Sequence, residues 1–397
     1  MFGKEVFDRF VKLYPEAAMV RILLENALPS EVVDQVFEDN CDRQYSKQIM
    51  FSSIVSMLCL VVCRVKPSVH AAFVDNKDAF GASRTALYDK LNNTEIDISA
   101  ALVDKTYERM APVVRQMKAC RPPLIAGYQT RIVDGNNLAA SEHRLEVLRK
   151  IAAGPLPGVA VVVYDRELGL ISRVYLREDA YVQERAIVLD TLGDVQKDEL
   201  WIADRNFCTS AVMHQIDVSG AAFIIRKHAQ NVRFHVLGDE RKIGETSTGV
   251  VYEQAIGIED DFDSTLVGRR IRVALHEPTA SGDTEIVLFS NLPCSATALD
   301  ISDAYRKRWD IETTFNHMDR MFSGEIKALG SPRAALLAFS VAAIAFNTMS
   351  VVMSALRVEH GTQKVDEEVS IFHIGVNVQS DWSAAAMVGD AEDWEQR

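Results

Sequence analysis

No two of the six cysteines (Cys41, Cys59, Cys63, Cys120, Cys208 and Cys294) stand as a CxxC pair or at zinc-ligand spacing, which argues against a thiolate metal site and a disulfide framework. Cys59 and Cys63 lie in an apolar stretch and read as small buried hydrophobes in a reducing compartment. Met1 to Asn26 mixes charges of both signs with apolar residues at helical spacing, so it lacks the pattern of a secretory signal. Internal repeats and low-complexity blocks are also missing, which sets repeat architectures aside. Positive charge is scarce: 43 Lys and Arg face 56 Asp and Glu, a net charge of −13. That excludes a uniformly basic coat for nucleic acid, but not local basic patches, because fields are screened over ~8–10 Å at ordinary salt. The deficit is uneven. From Glu359 onward nine acids face two bases, a contribution of −7, and the rest of the chain is only mildly acidic.

What is present is ordinary for a soluble globular protein: 48% hydrophobic and 25% charged residues in 397, enough for two or three domains or one domain with a large insertion. Residues 1–121 read as an all-α region, punctuated by Pro15, Pro29 and Pro67. Within it Ser83 to Leu91 reads as a capped short helix after a turn, with Arg84, Tyr88 and Lys90 on its polar positions. Such a helix can serve as the recognition element of a helix-turn-helix, and generic three-helix packing produces the same pattern. Arg121-Pro122-Pro123 marks a boundary, after which residues 122–230 alternate strands and helices: strands at Thr130–Val133, Val159–Tyr164, Leu170–Leu176, Glu199–Ala203 and Ala221–Ile225, with helices at Glu178–Leu192 and Thr209–Val218. Residues 231–292 form a β-rich insertion, 293–361 return to helix, and 362–397 are an acidic, loosely ordered tail. Ala334 to Leu356 runs 23 residues without a charge; its alanines, serines and Asn347 point to a buried helix over a membrane span.

Three carboxylates stand out by position. Asp134 and Asp204 each follow a predicted strand, where ligands gather in open α/β sheets, and Glu312 lies on a later helix. Taken singly, Asp134-Gly135-Asn136 and Asp204-Arg205-Asn206 also have the composition of plain turns. If the strands are neighbours and the helix packs across them, three crowded carboxylates require a cation. Oxygen donors with open water positions suit Mg²⁺ or Mn²⁺, and two such ions can clamp the attacking and leaving oxygens of a phosphodiester. Beside Glu312 stands the cluster Tyr305-Arg306-Lys307-Arg308-Trp309-Asp310-Ile311-Glu312, in which Tyr305, Arg308, Trp309 and Glu312 share one face of a helix.

These residues resemble the DDE transposases of bacterial insertion sequences, in particular the family-four group with its Tyr-x2-Arg-x3-Glu-x6-Lys/Arg signature. The likeness runs through Ile132 to Leu138, Leu200 to Phe207 and Tyr305 to Phe315, and covers roughly Ser83 to Leu356. It implies a ribonuclease H-like α/β catalytic domain interrupted by the β-rich insertion. It also implies a catalytic triad of Asp134, Asp204 and Glu312 holding two Mg²⁺ or Mn²⁺ ions, with Tyr305 and Arg308 gripping phosphates of the element end. The expected partners are the terminal inverted repeats and target DNA, both double-stranded, bound by a homodimer in the bacterial cytoplasm with no membrane involved. The reaction implied is hydrolytic nicking at the element's ends followed by strand transfer of the freed 3′-hydroxyl.

Two departures qualify the match. The seventh residue after Glu312 is Asp319, where the signature has Lys or Arg, and Arg320 follows it. No tryptophan lies between Trp201 and Trp309 to stack on a flipped base, leaving Tyr252 or Phe289 for that role. Arg226, Lys227, His228, Arg233, Arg241, Lys242, Arg269, Arg270 and Arg272 are candidates for tracking the DNA backbone, or else a charged β surface. His143 is expected to be structural. The competing readings are a degenerate, end-binding remnant without catalysis and a stand-alone metal-dependent nuclease.

Overall fold

The computed structural model describes residues 2–42, 49–75, 81–138, 158–179, 186–187, 192–228, 232–260, 264–323, 326, 329 and 331–388. His143 and most of the helix expected over Glu178–Leu192 lie outside the described residues. The helices before the first strand are α1 (Phe2–Leu13), α2 (Pro15–Ala27), α3 (Ser30–Asn40), α4 (Phe51–Val62), α5 (Val69–Asp75), α6 (Arg84–Asn93) and α7 (Ile96–Gln116). The Ser83 hydroxyl caps α6 by accepting from the Ala86 N–H. Burial keeps the two neighbouring thiols protonated and inert, and pushes Cys63 up to about 12.

The strands are β1 (Gln129–Asn137), β2 (Val159–Asp165), β3 (Leu170–Arg177), β4 (Glu199–Ala203), β5 (Ala222–Arg226), β6 (Phe234–Val236), β7 (Arg241–Glu245), β8 (Gly249–Glu259), β9 (Thr265–Leu275) and β10 (Glu285–Ser290). They form one mixed sheet in the order β3-β2-β1-β4-β5-β10-β9-β8-β6, with β7 also on β8. β1, β4 and β5 are parallel, β2 lies antiparallel beside β1, and β3 lies antiparallel beside β2 at the sheet edge. This mixed arrangement is consistent with a ribonuclease H-like domain. Strands β6 to β9 continue the same sheet, because β10 pairs with β5 on one side and β9 on the other.

Both faces of the central strands are covered, as their unbroken apolar runs require. Alternation sorts the side chains. Ile132, Ile202 and Ile224 enter a core shared with α2 to α7, whereas Val133, Ala203 and Ile225 face α8 (Ser210–Val218) through Val212, Met213 and Ile216. After β10 come α9 (Ala298–Arg306), α10 (Trp309–Met321), α11 (Pro332–His360), α12 (Thr362–Glu368) and α13 (Ile371–Val388).

α11 is long and apolar enough to cross a membrane, but its most apolar window is wholly buried inside the protein. Asn347 fits that burial. Its side-chain oxygen accepts from the Ile171 N–H at 2.7 Å and its amide donates to the Ile171 carbonyl at 2.8 Å. The side chain thus acts as a short strand against edge strand β3, beside the irregularity where β2 and β3 shift register. Asn347→Leu leaves two buried backbone groups without partners, at about 1–3 kcal/mol each. The expected result is a variant destabilised by roughly 2–5 kcal/mol in a denaturant melt; an unchanged midpoint would mean that water replaces the amide.

Two expectations are corrected here. Asp134-Gly135-Asn136 is not a turn: β1 continues to Asn137, pairing with β2 through Asp134↔Val162, Gly135↔Val161 and Asn136↔Ala160. Turn-forming residues are held extended because a partner strand takes their backbone hydrogen bonds. The tail is not loosely ordered either, since α12 and α13 occupy its described part. Ile374, Val378 and Trp382, spaced by four, make one buried stripe on α13, and the Arg21 guanidinium lies 5.1 Å from the centre of the Trp382 ring system.

Candidate active site

The parallel ladder between β1 and β4 ends at Val133↔Ala203, and that between β4 and β5 at Ala203↔Ile225. One residue further on, three adjacent strands present Asp134, Asp204 and Arg226 side by side. By the alternation of side chains all three take the side of Ile132, Ile202 and Ile224, the face on which Ile301, Tyr305 and Ile311 of α9 and α10 pack. β1 remains paired to β2 at Asp134 while its other edge is released. The gap opens where the carboxylates lie.

Local hydrogen bonds fix both aspartates. The Gly135 N–H donates to Asp134 Oδ1 at 3.0 Å, and the Asn206 N–H donates to Asp204 Oδ1 at 2.7 Å, which makes Asp204 the cap of the 3₁₀ turn Arg205–Phe207. A Thr297–Asp300 capping box starts α9 and orients the segment that follows. The helix then breaks. At Lys307 and Arg308 the backbone makes tight i→i+3 bonds, Lys307 N–H to the Ala304 carbonyl and Arg308 N–H to the Tyr305 carbonyl, before α10 begins. The break corrects the expectation of one continuous face: Tyr305 is buried at the end of α9, whereas Trp309 is 64% exposed.

Arg308 sits at the break and reaches across the gap. One terminal nitrogen donates to Asp134 Oδ2 at 3.0 Å and the other to Glu312 Oε1 at 2.5 Å. A single guanidinium therefore joins β1 to the first turn of α10. Burial disfavours its charge, but Tyr305, Asp134 and Glu312 more than offset that and hold its pKa above the usual range. Its Nε is buried without an acceptor. Tyr305 lies against it, with the charges of Arg226 and Asp204 also acting on the phenol; burial, the largest cause, pushes that hydroxyl up to about 12. It is a proton donor at neutral pH.

Among the described residues, no three His, Cys, Asp or Glu side chains stand close enough as placed to share a metal ion. The donor set at the strand ends is nevertheless all oxygen, from Asp134, Asp204 and Glu312, the chemistry that suits Mg²⁺ or Mn²⁺. As placed, the Arg308 guanidinium lies between two of those carboxylates. A polar cleft of about 400 Å³ on another flank of α10, lined by Thr313, Thr314 and His317, is not lined by Asp134 or Glu312.

The remaining candidates are dispersed. Arg84 is exposed and Tyr88 half-buried on α6, while Lys90 turns inward, donating to the Ile49 carbonyl at 3.1 Å over the Phe37 ring. Burial lowers its pKa. Arg320 is exposed in the last turn of α10, where Arg64 caps the helix through the carbonyls of Asp319 and Phe322. Phe289 is fully buried and unable to stack on a base, and the Tyr252 ring is covered by Arg272 at 4.1 Å. Arg269 pairs with Glu253, and Arg270 and Arg272 share Glu240, so this group forms a neutralised β surface. Arg226 was assigned only to a scattered patch by its sequence; its place directly after a predicted strand, like that of Asp134 and Asp204, is the signal that marks it as a neighbour of the site.

No curated protein matches this chain. Residues 125–348, more than half of the 397, match the family model described as a transposase DDE domain, spanning all three carboxylates, Tyr305 and Arg308. The chain belongs to the DDE transposase family.

Proposed function

We propose that the protein is the transposase of a bacterial insertion sequence of the family-four group, nicking DNA at the element's ends and joining the freed 3′-hydroxyl to target DNA. The observation that carries this reading is the placing of Asp134 and Asp204 at the open end of one parallel ladder, with Glu312 tied to Asp134 through Arg308. Asp134, Asp204 and Glu312 would hold two Mg²⁺ or Mn²⁺ ions. The chemistry such ions bring is Lewis acidity, which eases deprotonation of water or a 3′-hydroxyl and offsets charge on the departing oxygen.

The chain's own residues do the positioning. Arg308 has the planar fork that grips two phosphate oxygens, and its unpartnered Nε adds a third donor direction. The Tyr305 hydroxyl, protonated at neutral pH, donates to a phosphate oxygen beside it. Arg84, Tyr88 and Arg320 supply exposed groups for more distant phosphates, and Lys90 joins them only after leaving Ile49. We place the protein in the bacterial cytoplasm, acting as a homodimer on paired inverted repeats.

The test is incubation with Mg²⁺ and a duplex carrying the native element end, beside Asp134→Ala. Nicks confined to the element boundary, and lost in the variant, are expected. Binding without nicking would replace this reading with an end-binding remnant, and cleavage indifferent to sequence would replace it with a nuclease.

A further inference from the structure

We propose that Arg308 is a latch on the metal site: its guanidinium cross-links Asp134 and Glu312 until a DNA phosphate draws it away, so that divalent metal loads only when DNA is in place. The inference rests on the reading of Asp134, Asp204 and Glu312 as the metal-binding carboxylates.

Three observations carry it. The two bonds from Arg308 engage Asp134 Oδ2 and Glu312 Oε1, one oxygen of each carboxylate that a divalent ion would use. Both are charge-assisted, and each occupies a lone pair and offsets charge that a metal ion would otherwise draw on. The guanidinium Nε is buried with no acceptor, so the latched arrangement leaves one donor unsatisfied, a cost that a phosphate oxygen removes. Finally, Arg308 stands at the break between α9 and α10, where Lys307 and Arg308 are held by i→i+3 bonds and not by the ladder of a continuous helix. A small backbone adjustment there swings the side chain without unfolding either helix.

The coupling runs in one physical direction. With Arg308 on the carboxylates, the site carries one compensating positive charge and has lost two acceptor positions, so metal binds weakly. A phosphodiester offers the guanidinium two oxygens in fork geometry and takes it from the carboxylates, whose mutual repulsion then favours metal entry. By linkage, metal and DNA each strengthen the binding of the other.

The experiment is calorimetric titration of Mn²⁺ into the full chain without DNA, for the wild type, Arg308→Ala and Asp134→Asn. The wild type is also titrated after saturation with a short duplex, with the signal of the duplex alone subtracted. Arg308→Ala is expected to bind Mn²⁺ at least tenfold more tightly than the wild type, and the duplex is expected to raise the wild-type affinity by a similar factor. Equal Mn²⁺ affinity in wild type and Arg308→Ala, with binding lost in Asp134→Asn, would overturn the latch and leave the metal site standing. No Mn²⁺ binding by any of these proteins, with or without duplex, would overturn both. The wild-type arm with duplex needs no variant, so it decides the matter even if Arg308→Ala folds poorly.

Discussion

Glu312→Gln is expected to reduce nicking of an element-end duplex by about 10³-fold or more, roughly 4 kcal/mol of barrier, while the protein melts within a few degrees of the wild type. The substitution keeps the size of the side chain and leaves an amide oxygen able to accept from Arg308, whose present bond to Glu312 is 2.5 Å. It deletes the charge of one of the three candidate metal-binding carboxylates. The cost to the fold is small, because Glu312 is one of two acids in the first turn of α10 and a charge there contributes about 0.3–1 kcal/mol through the helix dipole. Single-turnover nicking and a thermal melt on the same preparation check both halves. Retained nicking would remove Glu312 from the catalytic set, and a collapsed melt would make the residue structural.

At the other end of β1, Arg131→Met is expected to cost about 3–5 kcal/mol without touching the site. Arg131 is held between Asp165 and Glu199, which lie on the strands to either side, and its Nε donates to Glu199 Oε1 at 2.8 Å. The same carboxylates collect further donors: the Tyr107 hydroxyl of α7 at 2.7 Å and the Leu168 N–H on Asp165, and the Trp201 indole and Gln196 N–H on Glu199. Burial works against the charge on Arg131, but Asp165, Tyr107 and Glu199 outweigh it and raise its pKa. Without the cation, two buried carboxylates are uncompensated. The melting temperature is expected to fall by roughly 4–6 °C. An unchanged melt would mean that the other donors to Asp165 and Glu199 already balance their charge.

Asp134, Asp204 and Glu312 could be singled out as candidates in the sequence because each carries a local mark: a carboxylate directly after a β-favouring run, or one in a helical cluster rich in cations. α11 was legible as a buried helix because its alanines, serines and Asn347 suit a packed protein interior, where its most apolar window lies. What escaped depends on distant partners. Arg308 reads as a phosphate ligand, but its contact with Asp134 spans 174 positions. Arg270 and Arg272 look like a basic patch until Glu240 folds back over both. Lys90 looks solvent-facing on its own helix, yet Phe37 and the Ile49 carbonyl lie beneath it. Gly135 and Asn136 have turn chemistry and are overruled by β2. In α13 the buried residues recur only every fourth position among polar ones, a stripe too thin to stand out beside the acidic composition of the tail.

The change in composition at Arg121-Pro122-Pro123 separates helices from strands, but not two independently folding units. Val20, Leu58, Leu87 and Leu102 from the leading helices share one hydrophobic core with Ile132, Ile202 and the α11 residues Leu336 and Phe339. Production of either half alone therefore exposes a broad apolar surface and favours aggregation. For a mobile element this bears on inheritance: a copy interrupted before α11 would leave chaperones and proteases an unfolded fragment, not a surviving repressor that competes for the element's ends.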